Sequence, residues 1–337
     1  MKKPKRMSDV GRVGRLTARV LTIALGVSPL ASATNAAQAP QQSRRTAYVK
    51  SDFDPSTLVP FTKGDRYLGK HETGLYPGSK NEMPVDHRRA GERIAKTIRP
   101  LDAEGKPDER EGRILALVFG HSNCSMYFRA FQQELVRRAD ELHPRFEMLN
   151  AAVGGQQLPE ISALEGKVWD KATRLLGRPG YSAQQVQVLF LHTTYHRFSN
   201  RDNQPAVFPD DMRDMHRDLI KVLGHCLKLY PNLKIAYLTA DGFRHFTGFE
   251  PHVWQEAFAI KWLIEDQIKG KPGTSYEGDR RKLPWLCWGP YIWDNTWGES
   301  MFTDGVHPAG DAQGLFVKKY WDHLSDDRVA KPWMMKE

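Results

Sequence analysis

Cysteine is scarce in this chain of 337 residues, and the three that occur are Cys124, Cys226 and Cys287. Their spacing matches none of the ligand patterns of zinc sites. Three cysteines cannot all pair within one chain, and a disulfide-stapled fold is not expected at this length. We therefore expect three buried, unreactive thiols. This includes Cys124, although it lies only two residues after Ser122.

Beyond residue 39 the chain also lacks a strong excess of positive charge. The formal net charge is +9, but residues 1–39 hold seven basic residues against the single acid Asp9, which contributes +6 and leaves +3 for the rest. A nucleic-acid-binding protein carries its basic patch on the folded domain. We therefore expect no nucleic-acid partner.

Long apolar runs are missing, and the stretch Val20 to Val27 is too short to span a bilayer comfortably. Basic residues precede it, and the small-residue sites Ala31-Ser32-Ala33 and Ala37-Gln38-Ala39 follow it. This order predicts a secretory signal peptide over residues 1–39 and an exported protein, periplasmic or extracellular, with no stable membrane insertion after cleavage. A retained anchor, or a start codon placed upstream of a cytosolic protein, is the alternative.

The remaining chain divides into two regions of different character. Residues 40–112 are polar, rich in Gly and Pro and weakly periodic, and they predict an N-terminal extension laid over a domain, with one short helix over 86–98. Residues 113–330 alternate short apolar runs with amphipathic segments. A hydrophobic content of 40% and a charged content of 26% suit a soluble globular protein with a sizeable core.

The alternation in residues 113–330 predicts an α/β domain. The expected strands are residues 114–119, 146–152, 186–193, 233–240 and 283–293. The expected helices follow Ser122 and cover residues 210–230, 252–268 and 308–324. This order predicts a three-layer, flavodoxin-like fold, with about five parallel strands and helices on both faces. Sites in such folds form outside the carboxyl ends of the strands.

Candidate catalytic residues follow two of these strands. Ser122 lies in Gly120-His121-Ser122-Asn123, directly after the first strand, and Asp304 and His307 lie three residues apart in a Gly/Pro turn before the last helix. A hydroxyl nucleophile, an imidazole base and an acid that orients the base are the parts of a serine hydrolase triad. Taken singly, Ser122 can cap a helix and the other two can be turn residues.

An acyl-transfer site also needs donors for the developing oxyanion. The backbone N–H of Ser122 would lie at the N-terminus of a helix. The backbone N–H of Gly155, after the second strand, is a second natural donor because glycine allows a close approach.

These motifs resemble those of the SGNH (GDSL-type) hydrolase superfamily over roughly residues 113–325. Gly120-His121-Ser122-Asn123 is similar to the first block and is closer to the G-Q-S-N form of the carbohydrate acetylesterases, and Asp304 to Pro308 is similar to the last block, D-x-x-H-P. Gly155 matches the glycine of the second block. The resemblance implies catalytic roles for Ser122, Asp304 and His307 and oxyanion roles for Ser122 and Gly155.

The third oxyanion donor departs from the resemblance. SGNH enzymes supply it from an asparagine after the third strand, where this chain reads His192-Thr193-Thr194-Tyr195-His196. By position Thr194 stands at the donor site, and His192 or His196 could donate instead.

Further polar and aromatic residues are expected to line the substrate cleft: His121, Asn123, His192, His196, Trp288 and Trp293. Exposed aromatic rings suit the faces of sugars, although core packing explains such residues equally well. The spacing of His192 and His196 also admits a metal site. No third ligand is obvious, although His245 after the fourth strand could supply one, and we expect neither a metal nor a cofactor.

The sequence thus predicts an exported serine esterase that removes acetyl groups from a carbohydrate or glycan ester. Its partner would be a small-molecule or polysaccharide ester substrate. A non-catalytic, carbohydrate-binding relative on the same fold is the alternative, because one usual donor is missing. A metallohydrolase built on the three histidines is a third possibility.

Overall fold

This computed structural model describes one isolated residue and four longer ranges: 54, 57–195, 207–240, 250–293 and 297–336. All of them belong to one unit, Ala47–Glu337. The expected signal peptide lies outside the described residues, as do His196 and His245.

The N-terminal region contains little regular structure. Strands β1 (Arg66–Tyr67) and β2 (His71–Glu72) pair antiparallel, and helix α1 covers Val85–Ala95. Helix α1 therefore ends three residues before the predicted boundary at Ile98. The helix buries one face, which carries small residues where it lies against the domain: Ala90, Gly91 and Ala95.

The centre of the molecule is a five-stranded sheet. Its strands are β3 (Ile114–Gly120), β4 (Phe146–Asn150), β5 (Val186–Thr193), β6 (Ile235–Ala240) and β7 (Trp285–Trp288). All neighbours pair parallel, in the spatial order β4-β3-β5-β6-β7. This is the flavodoxin-like order, and the predicted fold class is confirmed.

Helices cover both faces of the sheet. The remaining ones are α2 (Ser122–Arg137), α3 (Leu158–Ser162), α4 (Lys167–Leu176), α5 (Asp210–Leu229), α6 (His252–Ile268), α7 (Gly310–Asp326) and α8 (Lys331–Met334). One apolar layer joins α3, α4, α5 and α6 to the sheet, and the other joins α1, α2, α7 and α8. Every residue of β3 and β5 is buried, as expected for parallel strands covered on both faces.

The N-terminal region packs onto the domain through hydrogen bonds as well as apolar contacts. The indole N–H of Trp254 donates to the Val59 carbonyl at 2.8 Å, and Lys261 Nζ donates to the Tyr76 carbonyl at 2.7 Å. On the other layer, His87 Nε2–H donates to the Leu286 carbonyl at 2.8 Å. Residues 59–87 are thereby attached to α6 and to the edge strand β7.

All three cysteines are free and buried. Burial raises the pKa of the Cys226 thiol and that of the Cys287 thiol, so both stay protonated at neutral pH. Across the described ranges, no helix has both the length and the apolar character needed to cross a bilayer.

Candidate active site

The candidate residues gather at the carboxyl end of the sheet. Ser122 is the first residue of α2, two residues after β3 ends. The glycine turn Gly154–Gly155 follows β4, and the Asp304–His307 turn precedes α7. Parallel strands end on one edge, so segments distant in sequence meet there.

The passage from β3 to α2 depends on the absence of a side chain at Gly120. A Cβ at this position would lie 2.0 Å from the His192 carbonyl oxygen and 2.6 Å from Cys124 Sγ. The His192 carbonyl belongs to the neighbouring strand β5, which cannot move without breaking the ladder. Glycine is therefore required for the close approach that places Ser122 at the start of the helix.

We expect Gly120→Ala to lower the free energy of unfolding by about 3 kcal/mol, because the added methyl group overpacks a rigid backbone contact. Urea unfolding followed by circular dichroism measures the change. Gly314→Ala is the matched control, since a Cβ there meets no atom within 4 Å and the residue lies in α7. Equal stability of the two variants would contradict the steric argument.

The Asp304–His307 turn is held by hydrogen bonds around the Asp304 carboxylate. Oδ1 accepts from the backbone N–H groups of Val306 and His307 at 3.1 and 2.8 Å, and Oδ2 lies 2.8 Å from His307 Nδ1. Because a carboxylate only accepts, Nδ1 carries the ring proton. The Thr303 N–H donates to the His307 carbonyl at 2.8 Å and closes the turn.

The other ring nitrogen of His307 faces Ser122. His307 Nε2 lies 2.8 Å from Ser122 Oγ, although the two residues are 185 positions apart. With Nδ1 protonated, Nε2 is the acceptor and the serine hydroxyl donates to it. Ser122 does not cap α2, since the N-cap position is His121. Ser122, His307 and Asp304 form a Ser-His-Asp triad.

The surroundings of the Asp304 carboxyl lower its pKa. Partial burial tends to raise its pKa, but hydrogen bonds from the His307 backbone, the His307 ring and the Val306 backbone outweigh burial, so the pKa lies below its ordinary value. The group therefore stays ionised at neutral pH, as required of an acid that fixes the tautomer of a neighbouring imidazole.

Two backbone donors lie beside the triad. A Cβ at Gly154 would be 3.8 Å from Ser122 Cβ, so the glycine turn lies against the nucleophile. Gly155 has φ of +73°, in the left-handed region that favours glycine. Among the described residues, neither the Ser122 N–H nor the Gly155 N–H donates to another group. Both N–H groups therefore remain candidate oxyanion donors.

Comparison with known proteins yields distant likenesses to solved structures. No family model and no curated protein sequence matches the chain. An acetyl xylan esterase, AlAXEase, is 13% identical with a TM-score of 0.38, over 62% of this chain and 98% of that one. A member of the lipolytic G-D-S-L family from Veillonella parvula is 11% identical with a TM-score of 0.37, over 63% and 98%. The salicylyl-acyltransferase SsfX3 is 13% identical with a TM-score of 0.39, over 65% and 56%.

Thr194, the expected third oxyanion donor, has a different partner. Its hydroxyl donates to Glu256 Oε1 at 2.8 Å, and the same oxygen accepts the Tyr195 N–H at 2.7 Å. A hydroxyl has one proton to donate. Thr194 is also fully buried. In this structure the proton of the Thr194 hydroxyl is therefore directed at Glu256 and not at an oxyanion beside the triad.

Glu256 instead anchors the segment that follows β5. Its side chain is fully buried on α6, and the Thr194 carbonyl in turn accepts the Leu158 N–H at 2.9 Å, where α3 begins. His252 Nε2–H donates to the Tyr195 carbonyl at 2.7 Å and adds a second link from α6 to the same segment. The buried carboxylate thus links α6 to the segment after β5, and the Thr194 carbonyl links that segment to α3.

We expect Glu256→Ala to lower the free energy of unfolding by about 3 kcal/mol, because a buried hydroxyl and a buried N–H lose their acceptor. Glu256→Gln should cost less, since its amide oxygen still accepts. Urea unfolding measures both, and Glu104→Ala, at an exposed acid, is the control. A Glu256→Ala stability equal to that of the control would show that the carboxylate does not hold this segment.

Three residues expected in the substrate cleft lie beneath it. Asn123 is fully buried, and its Nδ2 donates to the Val306 carbonyl at 3.3 Å. His192 is buried and its Nδ1 lies 2.8 Å from the Tyr320 hydroxyl, while the buried His121 ring lies 5.8 Å from that of His192. All three side chains are therefore buried in this structure and are not exposed on a cleft.

The aromatic residues expected in the cleft are core residues. Trp288 and Trp293 are 2% and 4% exposed and belong to the apolar layer formed with α6. The Trp288 indole N–H donates to the Leu75 carbonyl at 2.6 Å, in the N-terminal region. Large rings fill the volume between the sheet and that region, so neither ring can stack on a sugar.

A histidine metal site finds no support in the described ranges, where no cluster of three or more His, Cys, Asp or Glu side chains could hold an ion. His192 is bonded to Tyr320, and the other two histidines of that hypothesis, His196 and His245, lie outside these ranges.

Proposed function

We propose that this protein is an SGNH-type serine esterase, which hydrolyses ester bonds through an acyl-enzyme on Ser122. The observation that carries the proposal is the continuous hydrogen-bonded chain from Asp304 Oδ2 through His307 to Ser122 Oγ, with 2.8 Å at each step. The stability of the turn itself does not require a hydrogen bond between its imidazole and a serine on another element.

In the acylation step, Ser122 Oγ attacks the ester carbonyl carbon while its proton moves to His307 Nε2. The carbonyl oxygen becomes an oxyanion, which the N–H groups of Ser122 and Gly155 can bind. When the tetrahedral intermediate collapses, the bond to the alcohol breaks and the alcohol leaves with the proton from Nε2. Ser122 is then esterified by the acyl group.

Deacylation repeats these steps with water. His307 Nε2 takes a proton from a water molecule, the resulting hydroxide attacks the acyl carbon, and Ser122 Oγ leaves with the proton returned by His307. Throughout both steps Asp304 stays ionised and stabilises the imidazolium ion that forms. The products are the free acid and the alcohol.

For the substrate we propose an acetylated carbohydrate or glycan, and for the location export from the cytoplasm. The likeness of Gly120 to Asn123 to the G-Q-S-N form supports the first, and the composition of residues 1–39 supports the second. The aromatic segment before the triad turn contributes no support, because Trp288 and Trp293 are buried.

The proposal is tested with the purified protein and 4-nitrophenyl esters of increasing acyl length, followed by acetylated xylo-oligosaccharides. A preference for acetate and release of acetic acid from the oligosaccharide are expected. A fluorophosphonate should label Ser122, located by peptide mass spectrometry. Glycan binding with neither hydrolysis nor labelling would instead identify a non-catalytic carbohydrate-binding protein.

A further inference from the structure

The turn that carries the Gly155 N–H contains two glycines in succession. Such a pair has access to many backbone conformations, so the direction of the N–H depends on how the flanking residues are held. On the far side, the Gln156 N–H donates to the Val153 carbonyl at 3.2 Å, and Gln157 and Glu160 form a capping box at the start of α3. The near side is held at the peptide between Ala152 and Val153.

Both polar atoms of this peptide are bonded. The Val153 N–H donates to the Gly120 carbonyl at 3.0 Å, which links the turn to the strand that leads to Ser122. The Ala152 carbonyl accepts from Lys171 Nζ, on α4, at 2.8 Å. Ala152 is fully buried, so without the lysine its carbonyl would lose its bond in a place that bulk water does not reach.

Ion pairing does not explain the position of the Lys171 ammonium group. Within the described ranges its ammonium group forms no salt bridge with a carboxylate, and its hydrogen bond goes to the Ala152 carbonyl. Burial lowers the pKa of Lys171, and the nearby Arg129 and Arg174 lower it further. An ammonium group kept beside other cations, and directed at one carbonyl, indicates that the position of this carbonyl matters.

We propose that Lys171 is a positioning residue of the oxyanion site: by holding the Ala152 carbonyl, it fixes the glycine turn and directs the Gly155 N–H toward the carbonyl oxygen of the substrate. The inference rests on the proposed esterase function. Lys171 does not touch the substrate, and its effect reaches the reaction through the backbone of residues 152–155.

The test compares Lys171→Met, which removes the donor and the charge at similar length, with Lys171→Arg, which keeps both. Lys167→Met is the matched control, because Lys167 is an exposed lysine one turn earlier on α4. A misdirected donor should lower kcat with 4-nitrophenyl acetate about 10- to 100-fold, less than the loss of a donor altogether. KM should change little, because the ester in the ground state does not use the donor fully.

The affinity for an aryl boronic acid supplies a second readout, since its tetrahedral adduct on Ser122 imitates the intermediate. In Lys171→Met this affinity should fall by about the same factor as kcat/KM. Lys171→Arg should restore most of both quantities, and Lys167→Met should match the wild type. Thermal unfolding of each variant separates a loss of fold from a loss of positioning.

Unchanged kcat and boronate affinity in a folded Lys171→Met protein would overturn the inference while leaving the esterase function intact. A rise in KM alone would also overturn it, because that result indicates substrate binding and not oxyanion positioning. If Lys171→Met does not fold, the Lys171→Arg variant decides. A kcat near that of the wild type supports positioning by the donor. A loss in kcat of about 10-fold or more at normal stability contradicts it. A wild-type protein that neither hydrolyses the ester nor labels at Ser122 refutes the proposed function itself.

Discussion

Replacing Ser122 by alanine is expected to lower kcat for 4-nitrophenyl acetate by about 10⁴-fold or more, because no acyl-enzyme can form without the hydroxyl. The Ser122 Oγ is the only triad atom that bonds to the substrate, and His307 Nε2 loses its partner at 2.8 Å when it is removed. Initial rates at saturating ester measure the loss, and active-site titration with a fluorophosphonate counts the competent molecules.

Ser125→Ala is the matched control for this variant, because Ser125 lies on the same helix almost one turn later. It should hydrolyse the ester and take the label as the wild type does. The backbone N–H of residue 122 is retained in the alanine variant, so the remaining rate reports what the oxyanion donors contribute alone. Equal rates for Ser122→Ala and the wild type would exclude Ser122 as the nucleophile.

Replacing Asp304 by asparagine is expected to lower kcat by about 10⁴-fold at neutral pH, while the fold is retained. The amide group of asparagine can donate to His307 Nδ1, which then becomes the acceptor and leaves the proton on Nε2. An imidazole in that tautomer cannot take the proton of Ser122. The measurement is kcat over a range of pH, with the exposed Asp86→Asn as the control that should keep wild-type rates.

The lowered pKa of Asp304 also sets its effect on stability. Because hydrogen bonds hold the folded-state pKa below the ordinary value of 3.8, the folded protein binds this proton less readily than the unfolded chain. The stabilising contribution is complete above the unfolded-state pKa and is lost as the pH falls through the lower, folded-state pKa. Asp304→Asn should therefore show a shallower loss of stability on acidification than the wild type, measured by urea unfolding at a series of pH values.

Much of the fold was predictable because burial leaves a clear pattern in the sequence. Strand β5 and helix α6 begin and end at the predicted residues. Strand β5 is an unbroken apolar run, whereas α6 is buried at most positions and not only along one face. Helices α3 and α4 were not predicted. Helix α3 has only five residues, too few to show a period in the sequence. In α4 the buried residues Val168, Trp169, Ala172 and Leu176 do recur at helical spacing, so this signal was present in the sequence and was missed.

The residues of the candidate site also differ in whether the sequence predicts their positions. Ser122 and the Asp304–His307 turn follow strand ends, so topology alone places them on one edge, and the structure brings them within hydrogen-bonding distance. Glu256 and Lys171 act through bonds to Thr194 and Ala152, and nothing in their local sequence indicates those partners. Trp288 and Trp293 were predicted in the cleft but lie in the core, because an aromatic residue type is compatible with both places.

The separation of 185 positions between Ser122 and His307 has a consequence for the timing of the proposed activity. A chain is made from its N-terminus, so Ser122 and its helix emerge long before His307. The last helices, α7 and α8, pack against the layer that contains α2, and the triad turn directly precedes α7. A growing chain therefore carries a serine without its base, and the hydroxyl gains its reactivity only when the C-terminal segment has been made and has docked.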